Sequence, residues 1–127
     1  MANDLYTEGL KIRKAVLGEE YVNHALSNVN SFNKPLQELV TEYCWGEIWT
    51  RDGLPRSTRS LINLAVLTAL NRMHEFGVHV RGAIRNGVTE QEIQEVLMQA
   101  AIYVGVPAAL ESCRVAEKII AEMRADD

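Results

Sequence analysis

The chain has 127 residues, 47% of them hydrophobic and 24% charged, a balance that fits one ordinary globular domain and excludes a disordered or low-complexity protein. Thirteen Lys and Arg against seventeen Asp and Glu give a formal charge of −4 with no basic run, so nucleic acid is a poor partner. The longest strongly apolar stretch, Leu61 to Leu70, is about half of a membrane span, and the start lacks the pattern of a signal peptide; the expectation is a cytoplasmic protein that does not enter membranes.

Apolar residues recur at helical spacing almost throughout, which predicts an all-α, single-domain bundle of about six helices over residues 1–127. A first helix is expected from about Asp4 to Leu17, closed by Gly18, and a shorter one follows through Tyr21, Val22, Ala25, Leu26 and Val29. Asn33 as a cap and Pro35 in the first turn open a helix from about Lys34 to Trp49, and TRDGLP over Thr50–Pro55 reads as its closing loop. The next helix begins near Pro55 and carries SLINLAVLTAL, apolar on nearly every side. Such a helix must be surrounded, and a chain this short has few elements to surround it, so part of the cover is expected from another subunit. A helix from about Met73 to Asn86 ends at Asn86-Gly87. Thr89 and Glu92 then form a capping box for a helix with Ile93, Val96, Leu97, Ala100, Ala101 and Val104 on one face. Gly105 and Pro107 precede a last helix with Val115, Ala116, Ile119, Ile120 and Met123.

Arg72, Glu75 and His79 fall at i, i+3 and i+7, one stripe of a helix. A cation, a carboxylate and an imidazole together can bind an anion, orient the histidine and move a proton; the plainer alternative is a solvated face with an Arg72–Glu75 ion pair. His74 and His79 are five residues apart, so their rings diverge by about 140° and no zinc-protease geometry arises; no metal site is expected.

Trp45 and Trp49 lie one turn apart, opposite a stripe of Leu36, Leu39, Val40 and Tyr43, which gives that helix two apolar faces. One face would pack on the home core and the other on a partner subunit, or the indoles would wall a pocket for a small ring. Arg51, Arg56 and Arg59 cluster around the start of the apolar helix, an arrangement suited to an anion or to solvent. Tyr103 beside Gly105 and Pro107 places a phenol at a helix end. Cys44 and Cys113 form no CxxC and have no basic sequence neighbour that would activate them, so inert thiols are expected.

These segments together resemble the carboxymuconolactone decarboxylase family. The likeness rests on WGEIWTR (Trp45–Arg51), Gly53-Leu-Pro, Thr58-Arg-Ser-Leu-Ile62, Asn71-Arg72, Glu75, His79, Asn86-Gly-Val-Thr89, Glu92-Ile, Glu95-Val-Leu-Met98 and Ala101-Ile-Tyr-Val-Gly-Val-Pro-Ala-Ala109. Arg13-Lys-Ala-Val-Leu-Gly18 also looks like the family's first helix, so the likeness covers nearly the whole chain. It implies an alkyl hydroperoxidase D-like fold and assembly into a homo-oligomeric ring, commonly a hexamer. The redox relatives carry a CxxC ahead of a histidine, and aligning that histidine with His79 puts Arg72 and Glu75 at the cysteine positions.

The implied reaction is cofactor-independent decarboxylation of a small acidic lactone, 4-carboxymuconolactone, to 3-oxoadipate enol-lactone and CO₂ in protocatechuate degradation. The resemblance implies His79 and Glu75 as the catalytic pair. Arg72, Arg59 and Arg51 would bind carboxylates, and Trp45, Trp49 and Tyr103 would wall the ring. The competing functions are a peroxiredoxin-like activity on Cys44 or Cys113, and a paralogous decarboxylase or binding protein for another small acidic lactone.

Overall fold

The computed structural model describes residues 2–126, and every element among them is helical. Seven α-helices and one π-helical run fall into two units, Met1–Pro55 and Arg56–Asp127.

In the N-terminal unit, α1 (Ala2–Leu17) stops where expected. Gly18 takes φ 96°, a left-handed conformation that only glycine adopts cheaply, and its N–H closes the last turn on the Lys14 carbonyl at 2.9 Å. It then leads directly into α2 (Glu19–Ser27), which ends two residues before the predicted Val29. The expected helix from Lys34 to Trp49 exists as a continuous rod with a change of hydrogen bonding inside it: α3 (Lys34–Leu39) passes into a π-helical run at Val40–Ile48. Asn33 precedes it but does not cap it. Its side chain is taken up by the preceding turn, accepting from the Asn30 N–H at 2.8 Å and donating to the Asn28 carbonyl at 3.2 Å.

The π-helical run packs on α1 through two glycines. A Cβ on Gly9 would stand 2.0 Å from the Thr41 carbonyl oxygen, and one on Gly46 would stand 2.6 Å from that of Leu5, so backbone meets backbone at this crossing. The side of the rod that becomes buried carries Trp45 and Trp49, whose rings stack at 4.9 Å; Leu36, Leu39 and Tyr43 stand exposed. Of the two apolar faces, the indole face is thus the covered one.

The C-terminal unit holds α4 (Arg56–Leu70), α5 (Met73–Arg85), α6 (Glu90–Tyr103) and α7 (Val106–Ala125) around Leu64, Phe76, Val80, Ala83, Val88, Ile93, Leu97 and Ala116. Only Ser60, Leu64 and Thr68 of α4 are fully covered, while Ile62, Val66 and Leu70 remain exposed in the single chain. Thr68 ties α4 to α7 through its hydroxyl, 2.8 Å from that of Ser112, both residues being buried. Asn71 at φ 59° makes the tight turn from α4 to α5, one of the few non-glycine residues that accept it. At the other end of this pair the Asn86 amide donates to the Ser60 hydroxyl at 2.9 Å. The capping box of α6 forms as expected: Thr89 Oγ1 accepts from the Glu92 N–H at 3.1 Å, and Glu92 Oε1 accepts from the Thr89 N–H at 2.9 Å. No helix among the described residues is long and apolar enough to cross a membrane.

Candidate active site on helix α5

Phe76, Val80 and Ala83 recur at helical spacing and anchor α5 in the core. Glu75 and His79 each stand one residue before an anchor, which puts them at the edge of the buried face and one turn apart. The consequence is a pair with unequal surroundings. His79 is half-buried, whereas the Glu75 side chain is 56% exposed. Burial pushes the His79 pKa below its ordinary value, and the negative charge of Glu75 opposes that shift without cancelling it. The resting imidazole at neutral pH is therefore uncharged. A neutral imidazole can donate one N–H to an oxygen that gains charge, and a carboxylate beside it steadies any imidazolium that forms.

Arg72 occupies the N-cap position of α5 and is exposed. It makes no ion pair with Glu75; the carboxylate lies instead 3.9 Å from Nε2 of the exposed His74. Arg59, half-buried, sits in the first turn of α4, where the open amides of the helix start add to its positive charge. Tyr103 ends α6 at 83% exposure and borders a groove of about 780 Å³ between α4 and α6, with Leu61, Ala65, Val96 and Ala100. The charged groups on that groove are Glu92 and Glu95, and neither His79 nor Arg59 nor Arg72 lines it. Tyr103 thus faces a carboxylate-bearing groove rather than an arginine-lined one.

The remaining expected site residues belong to the N-terminal unit. Trp45 and Trp49 are buried against each other, and Arg51 is exposed in the loop after the π-helical run. One residue of that unit escaped sequence reasoning as a candidate: Arg13 is only 6% exposed. A signal existed, because it shares a helical face with Val16 and Leu17, both buried.

Neither thiol is activated. Burial raises the Cys44 pKa, and the Cys113 thiol, which donates to Glu117 at 3.3 Å, is raised by that carboxylate. Among the described residues no group of three or more His, Cys, Asp or Glu could hold a metal ion.

The profile of the carboxymuconolactone decarboxylase family matches residues 34–118. A nitrosuccinic acid decarboxylase of Metarhizium robertsii is 49% identical over 94% of this chain and 83% of its own length. A 4-carboxymuconolactone decarboxylase of Acinetobacter baylyi is 42% identical over 93% of this chain and 88% of its own.

Proposed function

Because the chain belongs to the carboxymuconolactone decarboxylase family, we propose that it is a cofactor-independent decarboxylase acting on 4-carboxymuconolactone, with His79 and Glu75 at the reacting atoms. The observation that carries this reading is the Glu75–His79 pair on α5, one member half-buried with a depressed pKa and the other open to solvent.

The substrate supplies its own electron sink. As the carboxylate leaves, its electron pair flows through the ring double bond into the lactone carbonyl and forms a dienolate. The protein must then stabilise charge on that oxygen and deliver a proton to carbon. The neutral His79 imidazole donates its N–H as a hydrogen bond to the lactone oxygen, while Glu75 orients it and relays the proton that the ring carbon takes from solvent. Arg72 and Arg59 hold the carboxylate that stays, because a tight clamp on the departing one would oppose its loss. A second copy of the chain in a homo-oligomeric ring closes the site in this proposal.

The 49% identical relative favours a second reading, nitrosuccinic acid as substrate. Loss of the carboxylate on its nitro-bearing carbon would leave a nitronate, again an oxygen-centred anion awaiting a proton on carbon. The two substrates therefore ask for the same pair of residues and differ in the ring. Supplying each to the purified protein, the labile lactone being generated in place, and following CO₂ separates them. Enol-lactone formation with the larger kcat/KM is expected. Preference for nitrosuccinate would move the assignment to the second reading, and no CO₂ from either would reject a decarboxylase.

A further inference from the structure

Arg13 is a buried cation to which the α5 chemistry gives no task. It projects from α1 with 6% of its surface accessible, and Nη1 donates to Gln37 Oε1 at 2.9 Å and to Thr41 Oγ1 at 3.2 Å. Both partners are neutral. Nε is fully buried and has no hydrogen bond, Nη2 makes none with the described residues, and no carboxylate among those residues pairs with the guanidinium. The ionisable groups that interact with it are Tyr21, Tyr6 and Cys44, all uncharged in their ordinary neutral-pH forms. A charge kept inside a protein without a counter-ion is costly, and natural structures avoid that arrangement unless something compensates.

The surroundings are built to aim this side chain. Thr41 is completely buried, and its hydroxyl donates to the Gln37 carbonyl at 2.8 Å, which leaves its lone pairs turned to Nη1. Gly9 lets α1 lie directly on the Thr41 carbonyl, so the arginine enters at a fixed height. Thr41 also belongs to the π-helical run, a rare geometry that recurs at functional sites. With Nη1 occupied and Nε sealed, Nη2 is the guanidinium nitrogen left to meet an outside acceptor, and a carboxylate oxygen is the acceptor that matches its charge.

We propose that Nη2 of Arg13, the guanidinium nitrogen that is neither sealed nor engaged, binds the carboxylate of a small organic acid. The acid is either the substrate itself or a separate effector; both share the chemistry of one carboxylate on one guanidinium nitrogen. The proposal stands apart from the decarboxylase reading, since binding needs no turnover.

The test uses succinate as the probe and the intact 127-residue chain. In ¹H–¹⁵N spectra the Arg13 Nε–H cross-peak, assigned by its loss in Arg13→Lys, is expected to shift saturably with succinate and not with equal chloride. Arg13→Lys keeps the charge without the fork and should weaken succinate binding by at least about tenfold; Arg13→Met, checked for helicity, should abolish it. A cross-peak that stays still through tens of millimolar succinate, or wild-type affinity in Arg13→Lys, overturns the proposal. Should Arg13→Met misfold, the titration of the unmodified protein decides alone. Steady-state turnover then distinguishes the sources. A raised KM with kcat kept in Arg13→Met, and competition by succinate, identify the substrate's carboxylate; an unchanged KM with succinate binding lost in the variant identifies a separate acid.

Discussion

The direction of the His79 shift makes a prediction about pH. Burial holds the folded-state pKa below the unfolded value of about 6.5, so the unfolded chain takes up this proton first as the solution is acidified. Stability is then fully present above about pH 6.5 and declines as pH falls from there towards the folded pKa, below which this contribution is constant. Thermal melts of the native chain should lose stability through that window, and His79→Gln should lose less. For turnover, His79→Ala is expected to lower kcat by about 10²–10³ with helicity unchanged, the size of a missing hydrogen-bond donor at a developing oxyanion. Full activity in that variant would remove His79 from the mechanism. The thiols supply the opposite test: Cys44→Ser with Cys113→Ser should release CO₂ at the native rate, since both pKa values are raised rather than lowered. The Glu75–His79 spacing could be read before folding, because helix periodicity alone puts the two on one stripe. Which of them is half-buried could not, because that depends on the Phe76 and Val80 anchors finding their core.

At the scale of elements, close packing rather than helix propensity sets the tolerances. Gly9→Ala would force a Cβ to within 2.0 Å of the Thr41 carbonyl, so the α1 crossing must open; a loss of about 3 kcal/mol or more is expected in denaturant unfolding. Gly53→Ala meets nothing within 4 Å and should change stability by less than about 0.5 kcal/mol. Thr89→Ala removes a formed cap and should cost about 1 kcal/mol. Equal stability in Gly9→Ala and Gly53→Ala would contradict the glycine contact. Helix order, the Gly18 stop and the Thr89 box were legible because each depends on a few neighbouring residues. The π-helical register from Val40 was not, since it arises from how α1 seats against the rod, and a 3.6-residue period conceals it. Asn33 misled for a related reason: a nearby turn used the side chain that the helix start would have taken.

For the whole molecule, the apolar residues left outside bear on how the site is closed. In the C-terminal unit, Met98 and Ile102 on α6 are 58% and 79% exposed, and Val106 and Leu110 on α7 are 55% and 51%. Met98, Val106 and Leu110 line one groove of about 620 Å³ between these helices, so the exposure is contiguous rather than scattered. Contiguous patches of this kind usually mark a contact surface. With Ile62, Val66 and Leu70 of α4 also outside, the apolar pattern of the sequence exceeds what one chain covers, which is why a subunit partner belongs to the proposal. The expected outcome is a solution mass by light scattering several times the 14.2 kDa of the chain. Ile102→Glu, which places a charge on the most exposed of the C-terminal aliphatic side chains, should lower that mass without lowering helicity. Turnover should fall with it, because a pocket closed by a neighbour opens when the neighbour leaves. A fully active monomer would confine the catalytic site to one chain, and a monomeric native protein would remove the partner altogether while leaving the His79 predictions in force.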